Sequence, residues 1–167
     1  MKRWNLGVNL VGLGATCLMV AAMFFPWWSF RWEYVEQTDI FPYYLSGPGS
    51  ELVGYKQSPQ MLLLTGVLIA AILICLVGSV LKGRAARIMV GTSGALVLLA
   101  AWRLLDRVGG VADRFGLPIQ GNGQGSLGGF GKVEVWTWLR PGLYLIVAAG
   151  ILALLTSLFF SRVRLGK

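Results

Sequence analysis

Four stretches of the chain run for about twenty residues with almost no charge: Leu6 to about Trp28, Met61 to Leu81, Ile88 to about Leu105, and Pro141 to Phe160. An α-helix rises about 1.5 Å per residue, so roughly 20 apolar residues cross the roughly 30 Å hydrocarbon core of a bilayer. Arg103, close to the end of the third stretch, is the one charged residue within them. The whole chain is 56% hydrophobic and 13% charged, against about 25% charged in a soluble domain. Polar residues are too few to clothe a soluble core. The expected fold is an all-α membrane protein with one domain over residues 1–167, an antiparallel four-transmembrane-helix bundle.

The charges then orient the spans. Lys2, Arg3, Lys82, Arg84, Arg87, Arg162, Arg164 and Lys167 flank the inner ends without any acid among them. The other side carries Arg31, Lys56, Arg103, Arg107, Arg114, Lys132 and Arg140, balanced by Glu33, Glu36, Asp39, Glu51, Asp106, Asp113 and Glu134. The whole net charge of +8 therefore falls on one side, which the positive-inside rule makes cytoplasmic. Both termini are expected inside a plasma (cytoplasmic) membrane, with outer loops at about residues 29–60 and 106–140. The basicity is thus a topology signal and a weak attraction for anionic lipid, not a nucleic-acid footprint. The basic start "MKRWNLG" resembles a signal peptide, but its apolar run is long for one, and an uncleaved helix is expected.

Helices associate in lipid through close approach at small residues. Gly66 and Ala70, Gly91 and Ala95, and Ala149 and Ala153 lie four apart on three spans, and Gly7, Gly12, Gly14, Ala21 and Ala22 lie on the first. The short turn "KGRAA" forces the second and third spans into an antiparallel hairpin. Arg103, Asp106 and Arg107 share one helix face at spacings of three and four, so either arginine can pair with the aspartate at the outer end of the third span.

Both outer loops carry a period-two pattern. In "SFRWEYVE" Phe30, Trp32 and Tyr34 alternate with Arg31, Glu33 and Val35; in "GKVEVWTWL" Val133, Val135 and Thr137 alternate with Glu134, Trp136 and Trp138. Such alternation marks half-buried strands. The two segments adjoin the first and fourth spans on one side of the membrane, so a small β-sheet formed by the two outer loops is expected. "SGPGS" reads as a turn. Nine residues between Gly109 and Gly131 are glycine, without the strand, helix and lysine order of a phosphate-binding loop; a loop that conforms to a partner is expected there.

Six of the seven tryptophans fall at outer span ends or just beyond. Trp27, Trp28, Trp102, Trp136 and Trp138, with Trp4 on the inner side, are expected as membrane-interface anchors, their rings in the head-group layer. Trp32 shares a strand face with Phe30 and Tyr34, and those three are the candidate partner contact.

Four spans, inside termini, an aromatic first outer loop and an outer sheet resemble the claudin-like tetraspan layout over the whole chain, at the level of topology. The Trp-Gly-Leu-Trp and paired cysteines of the claudin first loop are absent, since neither outer loop holds a cysteine. In texture the chain also resembles small prokaryotic four-span membrane proteins.

The chain has no histidine, which removes the usual haem and chlorophyll ligand and the usual base of a serine or cysteine enzyme. Cys17 and Cys75 both lie in apolar runs without Cys-x-x-Cys spacing and read as small buried hydrophobes. No acid sits in mid-membrane to relay protons. The expectations are no catalytic residue, no metal and no cofactor of its own; lipids and other integral membrane subunits as partners; and no nucleic acid or soluble substrate. The expected role is a non-catalytic accessory subunit of a larger membrane complex, within which a respiratory or photosynthetic electron-transfer assembly is the narrower choice. A self-assembling adhesion or barrier tetraspan and a small channel or transporter are the alternatives.

Overall fold

The computed structural model describes residues 8–33, 35–52, 56–114, 116–127 and 131–159. Trp4 and Tyr34 lie outside the described residues. Ten elements follow in order: α1 (Leu10–Phe24), β1 (Trp28–Trp32), β2 (Thr38–Ile40), β3 (Leu45–Ser46), α2 (Gly49–Leu52), α3 (Pro59–Val80), α4 (Arg84–Arg114), β4 (Gly121–Leu127), β5 (Gly131–Leu139) and α5 (Pro141–Leu158). The protein is mostly helical, with one small antiparallel sheet.

α1 starts at Asn9, whose side-chain oxygen accepts from the Gly12 N–H at 3.1 Å, a cap for one of the orphan donors of a first turn. It stops at Phe24, short of the expected end at Trp28, because Pro26 disfavours helical backbone in the residue before it; Phe25 is extended, at φ −107° and ψ 146°. α3 opens on the Ser58 cap with Pro59 in its first turn, where a missing N–H costs nothing. Both α3 and α5 match the expected spans closely.

α4 departs furthest from expectation. It runs for 31 residues, about 46 Å at 1.5 Å per residue, and continues through Asp106, Arg107 and Asp113 to Arg114. Charges end the apolar run at Leu105 but do not end a helix. The stop comes at Gly116, with φ +68°: the Gly116 N–H donates to the Asp113 carbonyl and the Leu117 N–H to the Ala112 carbonyl, a glycine-terminated cap that uses the left-handed backbone glycine tolerates. The expected outer loop 106–140 is therefore helix in its first part.

The long helices stand in a ring: α1 packs on α3 and α5, and α4 packs on α3 and α5. Met19, Leu68, Val97 and Ile146 fill the middle. Small residues set the crossings. A Cβ on Gly94 would lie 2.7 Å from the Gly150 carbonyl oxygen, so α4 and α5 meet nearly backbone to backbone. Ala149 and Ala153 line the core, whereas Gly66 faces open space and Ala70 and Ala95 are exposed. Ser93 of α4 donates to the Ala71 carbonyl of α3 at 2.8 Å. The outside is strongly apolar, with Leu63 72%, Ile88 61% and Leu158 72% exposed. α3, α4 and α5 are each long and apolar enough to cross a membrane, the mark of a membrane protein. α1, at 15 residues, is shorter.

The sheet has strand order β3-β2-β1-β5-β4. The two loop segments with period-two alternation pair as expected, and they do so antiparallel, with Trp28 opposite Leu139 and Trp32 opposite Val135. The expected loop around "QGNGQGSL" is instead strand β4. It pairs with β5 in unbroken register from Gly121 opposite Thr137 to Leu127 opposite Gly131. Glycine disfavours strands; here packing overrides that preference. A Cβ on Gly123 would sit 2.8 Å from Pro118 Cδ and 3.2 Å from Leu117 Cδ2, so glycine lets the α4–β4 connector lie flat across the strand. "SGPGS" turns at Gly47, φ +107°, and leads into α2.

Candidate functional site

The sheet and its junction with the helix ends hold a cluster of hydrogen-bonded polar and aromatic residues. The junction is built around Trp27. Residue 26 should donate to the Ala22 carbonyl in a continuing helix, but Pro26 has no N–H. The Trp27 indole Nε1–H fills that place, donating to the Ala22 carbonyl at 2.9 Å. The Trp27 backbone N–H donates to the Ile40 carbonyl at 2.8 Å, and its own carbonyl accepts from the Arg140 N–H at 3.1 Å. The Gly142 N–H, an orphan donor of the first turn of α5, donates to the Pro26 carbonyl at 3.0 Å. One residue thus joins α1, β2 and the start of α5.

A polar cluster lies beside it. The Ser29 hydroxyl donates to Asp39 Oδ1 and accepts from Arg140 Nε at 2.7 Å. Gln37 Nε2 donates to the same Asp39 oxygen at 2.6 Å. Arg140 Nη2 lies 3.9 Å from Asp39 Oδ1, and its guanidinium carbon stands 5.7 Å from the Trp138 ring centre. Ser29 is fully buried, while Asp39 and Arg140 are about a third exposed. The cluster ties β1, β2 and the head of α5. The buried Ser29 hydroxyl is the shared link between Asp39 and Arg140.

The tryptophans divide. Trp27 is 0% and Trp28 7% exposed: each donates to a backbone carbonyl inside the fold, Trp27 to Ala22 and Trp28 to Ile119 at 2.8 Å. Trp102 is 59% exposed on α4, a geometry open to an interface. Trp136 and Trp138 are half-buried on the sheet. Of the residues expected to contact a partner, Phe30 lies 6.0 Å from Trp32, and 5.4 Å from Trp28, ring centre to ring centre. It faces inward in part, since a Cβ on Gly49 would meet Phe30 at 2.9 Å.

Arg103 Nη1 pairs with Asp106 Oδ2 at 2.9 Å, the two side chains 72% and 51% exposed. Arg107 is exposed outside that pair. The helix continues past all three, so they flank a helix rather than end one. A second feature lies in the connection between β2 and β3. Phe41 and Tyr44 stack at 4.6 Å, with Tyr43 4.8 Å from Tyr44, and Tyr43, Tyr44, Lys56 and Gln57 line an open hollow. Burial, then the neighbouring Tyr44, raises the Tyr43 phenol above its usual value. The signal was the run "FPYY" at residues 41–44. Among the described residues no three of His, Cys, Asp or Glu come together as a metal site. No protein-family model matches the chain, and no curated protein matches it in sequence.

Proposed function

We propose that the protein is a non-catalytic structural subunit of a larger assembly of integral membrane proteins. It crosses the plasma membrane four times as an antiparallel bundle, keeps both termini in the cytoplasm and holds its sheet outside. The observation that carries this reading is the rigid junction: Trp27 joins α1, β2 and α5 through three hydrogen bonds, so the sheet is fixed to the helices as a platform. A transporter needs elements that move past one another, whereas the close crossing at Gly94 and Gly150 favours a static scaffold.

The proposed orientation accounts for α4. About twenty residues from Arg84 carry the helix across the bilayer at 1.5 Å per residue, which brings Trp102 and Arg103 to the outer interface and leaves the rest of α4 above it to support β4. Trp102, exposed there, acts as an interface anchor, and lipid and neighbouring subunits cover the apolar flanks. The claudin-like layout suits the sheet, which takes strands from both outer segments. The narrower form of the proposal assigns the parent assembly to respiratory or photosynthetic electron transfer.

Gentle detergent extraction followed by native electrophoresis tests the main reading. Co-migration with other integral membrane proteins is the expected result. Migration only as the chain itself, alone or with its own copies, would overturn it. For the narrower form, deletion of the subunit should slow electron flow through membranes, and unchanged rates would reject it.

A further inference from the structure

The two edges of the sheet differ. β3 is two residues long, and the Leu45 N–H is already occupied by the Lys56 carbonyl at 2.9 Å. β4 is seven residues long and follows β5 without a bulge. Among the described residues no strand lies beyond it. From Gly121 to Leu127 it has no charged residue and no proline. Edge strands are normally protected by shortness, a charge, a proline, a bulge or a cover, because their free N–H and C=O groups pair readily with another strand. β4 has none of the first four.

We infer that β4 pairs antiparallel with β4 of a second copy of this chain, centred on Gln124, so that two five-stranded sheets become one. The sequence of the strand is self-complementary about that residue. Centring on Gln124 sets Gly123 opposite Gly125, Asn122 opposite residue 126, and Gln124 opposite its own copy. Antiparallel pairing of identical strands is a closed two-fold contact, in which each surface meets itself. A charged residue at the centre would face its own charge; an amide both donates and accepts, so Gln124 can pair with itself. Gln124 and Asn122 are exposed, as such a contact requires. The nearest charge in the central row is Glu134, opposite Gln124 on β5. In the paired sheet the two copies of Glu134 stand three strand spacings apart, about 14 Å, which exceeds the Debye length at physiological salt. The pairing thus opposes no like charges at close range. It is independent of any partner subunit in the larger assembly.

Cysteine crosslinking of the full chain in lipid tests this, in a background with Cys17→Ser and Cys75→Ala. Directly opposed strand residues have Cα atoms within disulfide reach. Gln124→Cys should therefore crosslink to itself under mild oxidation. Asn122→Cys alone and Ser126→Cys alone should each crosslink at least about tenfold less, since like positions are then about 13 Å apart along the strands. Chains carrying Asn122→Cys mixed in equal amounts with chains carrying Ser126→Cys should crosslink about half as well as Gln124→Cys does, because random two-fold pairing makes about half of the dimers mixed. A charge swap gives a second readout: Gln124→Lys and Gln124→Glu should each be monomeric with unchanged helical circular dichroism, and their mixture should restore the dimer. Equal crosslinking at all three positions, no crosslink at 124, a dimer that survives Gln124→Lys, or crosslinks of Gln124→Cys only to a different protein would each overturn the inference.

Discussion

Two regions leave the helix ends on the same side of the bundle, and they use the same residue types for opposite ends. At the Phe25–Trp28 and Arg140–Gly142 junction, tryptophan is buried and hydrogen-bonded, arginine is held by serine and aspartate, and glycine is squeezed against backbone. On the far part of α4, Trp102 is exposed, Arg103 holds Asp106 in the open, and Gly110 has nothing within 4 Å. The first region is a weld between sheet and bundle. The second is an arm whose connector leads into the edge strand β4. Residue type is therefore a poor guide to role here; what decides is whether a second segment closes over the side chain.

The largest expected effect breaks the weld. Trp27→Ala removes a fully buried ring and the bond that replaces the missing Pro26 donor, and should lower stability by about 3–5 kcal/mol, read by thermal unfolding in detergent. Gly142→Ala comes next. Its Cβ would lie 2.7 Å from the Pro26 carbonyl oxygen, and forcing backbone apart should cost about 1–3 kcal/mol, with the protein less stable than wild type in the same assay. Ser29→Ala leaves Asp39 and Arg140 without their shared hydroxyl and should cost about 1–2 kcal/mol.

On the arm the sign reverses. Gly110 is helical and unobstructed, so Gly110→Ala should stabilise by roughly 0.5–1 kcal/mol through helix propensity. A loss of stability there would show that something covers this face. Arg103→Ala should have the smallest effect, about 0–0.5 kcal/mol, because both partners of its ion pair are exposed. A large loss at Arg103 would collapse the distinction between weld and arm.

Much of the architecture was legible from pattern alone. Uninterrupted apolar runs located α3 and α5, and the alternation in "GKVEVWTWL" marked β5 over the residues it occupies, Gly131–Leu139. The end of α1 is legible in Pro26, which stops the helix before the tryptophans. The apolar run of α4 ends at Leu105 while the helix continues to Arg114, because charges end the first and not the second. The punctuation at Gly116 and Pro118 was the better signal.

β4 was not legible. Its glycines argue against a strand, and only the free edge of β5 and the Leu117–Pro118 connector make a strand of them. The same holds for the core of the site. Sequence could place Ser29, Gln37, Asp39 and Arg140 near the same end of the helices, but not at one oxygen. Hydrophobic length and charge asymmetry are sums over local residues, so the chain by itself determined the apolar helices and the strand-forming ends. Which tryptophans are buried, which arginine is held and which strand edge stays open depend on segments as far apart as Pro26 and Gly142, and only the tertiary structure, by bringing those segments together, decided them.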